Sequence, residues 1–186
     1  MEFSEYQSET APTAVYPDAG EKTGRAIRYV VCGLAGEAGE LCNVSKKLLR
    51  DPDDIERLSA TLVDEIGDVL WYCARALLEV DHPITMTLTG LNPEGRMAIS
   101  GMIGRVGRPD TLVEAAIEAA GIAGRITEAY RAGSTYGVAQ LAIAMIEGLG
   151  AMAYACGTTI DQVAARNLAK LADRQANGTV HGHQRN

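Results

Sequence analysis

Residues 33–50 read GLAGEAGELCNVSKKLLR. Glu37 and Glu40 stand three apart, with Ala35, Gly36, Ala38 and Gly39 as their neighbours. Small neighbours leave room for a ligand to approach the carboxylates. Around this stretch Ile27, Val31, Leu34, Ala38, Leu41, Ser45 and Leu48 recur at three- and four-residue spacing, the signature of an amphipathic helix. Asp18 and Glu21 have the spacing of a capping box at its start. A second helix is expected after RDPDD (residues 50–54). Asp51 is its cap, Pro52 suits the first helical position, and Asp53 and Asp54 suit the positive helix end. Its apolar stripe is Leu58, Leu62, Ile66, Val69, Cys73, Leu77 and Val80, and His82-Pro83 closes it.

Helical periodicity continues beyond. Residues 83–108 carry Gly90, Gly95, Gly101, Gly104 and Gly107 without a clear period and read as a connector. A third helix is expected from Asp110-Thr111 to about residue 132, with Thr111 and Glu114 as a capping box. A fourth follows Gly133-Ser134 and runs to about Cys156. Thr159 and Gln162 open a fifth, which runs through Arg174, and the tail beyond reads as loose. No strand-type alternation stands out. The expected fold is an all-α helical bundle in a single domain, 1–186. It comprises a helix pair (18–82), the connector (83–108), a second pair (110–156) and a closing helix (159–176).

The two pairs resemble each other. VCGLAGEAGELC (31–42) aligns with AAGIAGRITEAY (119–130), and EIGDVLWYCA (65–74) with EGLGAMAYAC (147–156). Glu37 becomes Arg125 and Asp68 becomes Gly150. The second pair reads as a degenerate copy that keeps Glu128 and Glu147; chance similarity between two Ala/Gly-rich helices is the alternative.

Glu65 and Asp68 repeat the three-residue spacing on the second helix. Residues three apart lie about 60° apart around a helix, on one face. In both helices the acids fall on the same flank of the apolar stripe. The short connection makes the helices antiparallel neighbours, so these flanks can converge. Converging carboxylates repel one another unless a cation lies between them. An all-oxygen set with no His or Cys points to Mg²⁺, or Mn²⁺, and to phosphate chemistry. The alternative is a pair of solvated salt bridges. A di-iron centre would want Glu-x-x-His pairs, which are missing. Lys47, seven residues after Glu40, is placed to meet a phosphate or simply to face solvent near the helix end. Trp71 and Tyr72 follow Asp68 and can pack in the core or contact a base.

Composition narrows the classes. A net charge of −7 opposes general nucleic-acid binding. At 47% apolar the chain can build a core, and at 5% aromatic that core is mainly aliphatic. No uninterrupted apolar run of membrane length is apparent, and MEFSEYQSET (1–10) does not read as a signal peptide. The four cysteines form no C-x-x-C pair, and with three histidines a zinc site is not expected. Buried thiols in a reducing cytoplasm are expected.

GLAGEAGE (33–40) followed by DEIGDVLWY (64–72) resembles the MazG-like, all-α nucleoside triphosphate pyrophosphohydrolases, relatives of the dimeric dUTPases. Their motif is E-x-x-E, a gap, then E-x-x-D; here the gap is 24 residues. NLAKLADR (167–174) is similar to the family's closing helix, and TAVYP (13–17) to the leader of phage and actinobacterial members. The resemblance implies Mg²⁺-dependent attack of water on a nucleoside triphosphate, yielding monophosphate and pyrophosphate. It implies Glu37, Glu40, Glu65 and Asp68 as metal ligands, with Glu37 or Glu40 also orienting or deprotonating the water. Lys47, Lys170 and Arg174 would meet phosphate. Asn167 and Tyr72, with Trp71 beside it, would contact sugar or base. Typical members complete the bundle with a second subunit, so a homodimer or a pseudo-dimer within one chain is expected, with no nucleic-acid or membrane partner. A nucleotide-sensing or partner-binding bundle without turnover, and the same chemistry on phosphoribosyl-ATP or an alarmone, are the alternatives.

Overall fold

The computed structural model describes residues 1–91 and 108–178. Its elements are α1 (Phe3–Glu9), α2 (Gly24–Ser45), α3 (Lys47–Arg50), α4 (Ile55–Glu79), α5 (Pro109–Arg131), α6 (Thr135–Ala155) and α7 (Ile160–Ala176), with short 3-10 turns between some of them. Helices α2, α4, α5 and α6 form a four-helix core in which α2 packs on α4 and α5, and α6 on α4 and α5. Helix α7 closes the bundle against α4 and α6. The fold is all-α, with a single Glu2–Thr87 bridge as its extended pairing among the described residues.

The core is aliphatic. Leu34, Leu41, Leu62, Ile66, Leu70, Leu77, Leu112, Ile126 and Ile146 are fully buried. At about 1.5–3 kcal/mol per buried aliphatic side chain, this stripe-to-stripe packing is the main force holding the helices together. Helix α6 has the length and mean apolarity of a membrane span although Gln140 and Glu147 interrupt its apolar run, and 61% of that window is buried inside the bundle. Most of its apolar residues face neighbouring helices and serve as core.

Several helix ends differ from the spacing-based expectation. Thr23, not Asp18, caps α2: its Oγ1 accepts from the Ala26 N–H at 3.1 Å. Asp18 lies at φ 58° in a turn that also puts Gly20 at 84° and Lys22 at 56°, so it is not placed to cap a helix. It accepts from the Thr23 hydroxyl instead. Pro52–Asp54 forms a 3-10 turn before α4, and Asp51 makes no side-chain cap. Helix α5 starts at Pro109, which places Thr111 inside its first turn, buried rather than capping. Ser134 caps α6, and the Thr159–Gln162 capping box is formed on α7.

The N-terminal α1 has no counterpart in the periodicity, because its seven residues carry just two anchors, Phe3 and Tyr6, both fully buried. The backbone beside it pairs with the start of the connector: Phe3 N–H donates to Met86 O at 2.9 Å, and Leu88 N–H to Met1 O at 3.1 Å. Leu88 and Leu91 reach the core. The remainder of the connector, 92–107, and the tail, 179–186, fall outside the described residues, with four of the five connector glycines.

Candidate metal centre

Two glycines decide how closely the neighbouring helices approach this site. A Cβ on Gly33 would lie 2.2 Å from the Tyr72 ring, so glycine alone lets that ring cross α2. A Cβ on Gly67 would lie 3.0 Å from Asn167, which seats α7 against α4. Gly36 and Gly39, in contrast, face open space. The small residues of GLAGEAGE thus do two jobs: Gly33 admits a packing partner, and Gly36 and Gly39 leave the helix face accessible.

Across this contact the carboxylates of Glu37, Glu65 and Asp68 converge, each offering an oxygen within 4.8 Å of the others. All three are half-buried. Burial, then repulsion from Asp68 and Glu65, pushes the Glu37 carboxyl up to about 7, while Lys170 pulls the other way. Glu65 is raised by burial and by Asp68. Glu40 is exposed and lies outside the three-acid group, but it repels both Glu37 and Glu65, so it borders the site.

Helix α7 supplies the opposite charge. Lys170 Nζ donates to both oxygens of Asp68 at 2.7 Å. Asn167 Nδ2 donates to Asp68 Oδ1 at 2.9 Å and its Oδ1 accepts from the Tyr6 hydroxyl at 3.1 Å. Buried Tyr6 therefore fixes the Asn167 amide, and Asn167 fixes Asp68. An outer Arg166–Asp64 pair, 2.8 and 2.9 Å, ties the same two helices. Arg174 sits one turn beyond Lys170 on α7 and is exposed.

Lys47 opens α3, just past the end of α2. Helix α2 ends at Ser45, and Lys46 lies in helical backbone between the two; Lys47 is exposed. Trp71 is 8% exposed and its indole N–H donates to Thr13 at 3.1 Å. It supports Tyr72 edge-on, with ring centroids 4.9 Å apart. Tyr72 is half-buried, and burial first, then the neighbouring Tyr29 and Glu37, push its hydroxyl pKa up.

The sequence reading did not single out the residues that hold the leader. Glu79, 1% exposed, accepts from the Tyr16 hydroxyl at 2.5 Å and from the Gly20 and Lys22 N–H groups at 2.7 and 3.0 Å. Arg75, also buried, donates to the Tyr16 hydroxyl at 3.0 Å. Tyr16 stacks on Tyr29, which lies four residues before Gly33 and eight before Glu37. That four-residue recurrence was the available signal for Tyr29. In the Glu79 network the signal was the four-residue spacing of Arg75 and Glu79; its Tyr16, Gly20 and Lys22 partners lie more than fifty residues away and leave no period.

The second helix pair gathers no equivalent acids among the described residues. Glu128 is exposed and Glu147 half-buried. At Gly150, the counterpart of Asp68, a Cβ would lie 3.2 Å from the Leu91 carbonyl oxygen, so the connector covers the place where a carboxylate would stand.

No family model matches the chain, and no solved structure does. It is 40% identical over 96 residues to the Gene 37 protein of Mycobacterium phage L5, a span of 50% of this chain and 84% of that relative. The shared segment takes in most of the phage protein at an identity well beyond chance, and the chain therefore belongs to the family of the Mycobacterium phage L5 Gene 37 protein.

Proposed function

We propose that the chain is a MazG-like, Mg²⁺-dependent nucleoside triphosphate pyrophosphohydrolase that converts a (d)NTP and water to (d)NMP and pyrophosphate. One observation carries the reading: three carboxylates from two helices converge within 4.8 Å, and one of them is held near pH 7. The donor set fits the ion. Mg²⁺ takes oxygen ligands at about 2.1 Å, so neighbouring ligand oxygens stand about 3 Å apart. Small side-chain rotations bring the Glu37, Glu65 and Asp68 oxygens to that spacing. When bound, the ion supplies a water of lowered pKa and a counter-charge for the triphosphate.

The chain's own groups have separable tasks. Glu65 and Asp68 hold the cation. Glu37, whose carboxyl burial and the neighbouring acids push up in the metal-free protein, stands beside the cation's place to accept a proton from an attacking water. Glu40 extends the acidic rim. Lys170 is within reach of Asp68 and of any phosphate bound beside it. Arg174 lies one turn further along for the remaining phosphates. Tyr72 and Asn167 border the site where sugar or base would lie.

The test is pyrophosphate release from a panel of NTPs and dNTPs with Mg²⁺, beside Glu65→Gln and Glu40→Gln. Release that Glu65→Gln abolishes and Glu40→Gln weakens is the expected result. No release from any nucleotide, phosphoribosyl-ATP or alarmone, in folded protein that binds Mg²⁺, overturns the enzyme reading. That outcome favours a binding module without turnover. The observation on that side is Lys170, whose ammonium already neutralises both oxygens of Asp68.

A further inference from the structure

Tyr29, Gly33 and Glu37 recur every four residues and so share one face of α2. Eight residues of helix put Tyr29 about 12 Å from Glu37 along the axis. That is comparable with the reach from the base to the phosphates of an extended nucleotide. Tyr29 is 46% exposed, although most large side chains of the bundle are buried. A lone exposed aromatic needs no explanation. This one is different because its position is fixed from behind.

The Tyr29 ring lies against Tyr16, centroids 4.9 Å apart and planes 14° apart. Tyr16 is 6% exposed and cannot swing, since its hydroxyl is gripped by Glu79 and Arg75. Beside it lies Tyr72, the ring that crosses Gly33 toward Glu37, near enough to Tyr29 for their hydroxyls to interact electrostatically. The result is a pre-ordered aromatic surface, continuous with the acid cluster and open to solvent. Little conformational freedom is left to lose when a flat ligand settles on it.

We infer that Tyr29, backed by Tyr16, is the stacking platform for the planar base of a nucleotide whose phosphates are held at Glu37, Glu65 and Asp68. This rests on the nucleotide reading above. Stacking is tolerant of base identity because every base has a π face. Discrimination among bases then falls to the polar groups at the platform's edge, the Tyr72 hydroxyl first.

The experiment compares two ligands by calorimetry in the presence of Mg²⁺: a panel of dNTPs with an uncleavable imido group at the α,β bridge, and inorganic tripolyphosphate, which has the charge but no base. Wild type, Tyr29→Ala and Tyr29→Phe are titrated. Stacking on one aromatic is worth enough that its removal weakens binding on the order of tenfold or more. The expected result is that loss for dNTPs in Tyr29→Ala, unchanged tripolyphosphate binding, and near-complete retention in Tyr29→Phe, which keeps the ring. Equal dNTP affinity in Tyr29→Ala and wild type overturns the platform. So does parallel weakening of both ligands, which would mean the substitution disturbs the acids. Wild type that binds tripolyphosphate but no dNTP overturns the platform while sparing the phosphate site. The expected pattern, with no pyrophosphate released from any natural nucleotide, phosphoribosyl-ATP or alarmone in a separate assay, leaves the platform standing and overturns the hydrolase. Binding of neither ligand overturns both.

Discussion

Gly33 and Tyr72 meet where α2 crosses α4, and a Cβ at residue 33 would fall 2.2 Å from Tyr72 Cε1, closer than any real contact. The same ring leans on Trp71 and reaches Tyr29. This glycine therefore lets the Tyr72 ring lie against α2 and sets the position of the aromatic surface next to Glu37.

Gly33→Ala is expected to destabilise the fold by about 1–3 kcal/mol, the range for overpacking a tight contact. The clash is with one side chain, so Tyr72→Ala in the same chain should relieve most of it. Urea denaturation of the two single variants and the double variant measures the coupling. Additive losses would show that Tyr72 is not what Gly33 accommodates.

Removing the Glu79 carboxylate should be the most damaging change outside the aliphatic core. Glu79→Ala leaves the buried Arg75 without its anion and strips the acceptor from Tyr16 and two backbone N–H groups. The expected cost is about 3–5 kcal/mol, as for breaking a buried ion pair. The leader should detach, visible as increased proteolysis near residues 10–22 in the folded protein.

Stability without metal should depend on pH through Glu37. Its carboxyl moves from an ordinary 4.5 to about 7 in the fold. A raised acid contributes its stabilisation fully below pH 4.5, where it is protonated in both states. That contribution is lost as pH rises toward 7, because the unfolded chain releases its proton first. Glu37→Gln should melt higher than wild type at pH 8, by the order of 1 kcal/mol once solvent screening of this half-buried group is discounted. The gap should narrow toward pH 4.5. Glu65, raised in the same direction, should leave a residual slope in the variant. A wild-type melting temperature that climbs relative to Glu37→Gln between pH 4.5 and 7 would contradict this.

Lys170 and Mg²⁺ compete for Asp68. Lys170→Met removes the ammonium 2.7 Å from both carboxylate oxygens and should tighten binding of Mg²⁺ alone. It should weaken binding of Mg²⁺ with tripolyphosphate, whose negative charge the lysine would otherwise meet. Calorimetry with each ligand separates these opposite effects. Loss of both affinities would assign Lys170 to structure alone, through its tie between α4 and α7.

The sequence by itself determined the all-α bundle, because apolar residues at three- and four-residue spacing have one way to be buried together: as helices packed stripe to stripe. The same spacing put Glu37 and Glu40, and Glu65 and Asp68, on the flanks of those stripes. Helix ends were less legible, since Asp18, Asp51 and Thr111 have capping chemistry but backbone positions that deny it. Tertiary structure decided which acids converge: Glu37, Glu65 and Asp68 meet while Glu40 stays at the rim. It also turned Trp71 inward onto Thr13. Above all it brought Tyr6 and Tyr16 to the site from segments distant in sequence. Their roles rest on contacts to Asn167 and Glu79, 161 and 63 residues away, and a one-dimensional period carries no information about such contacts.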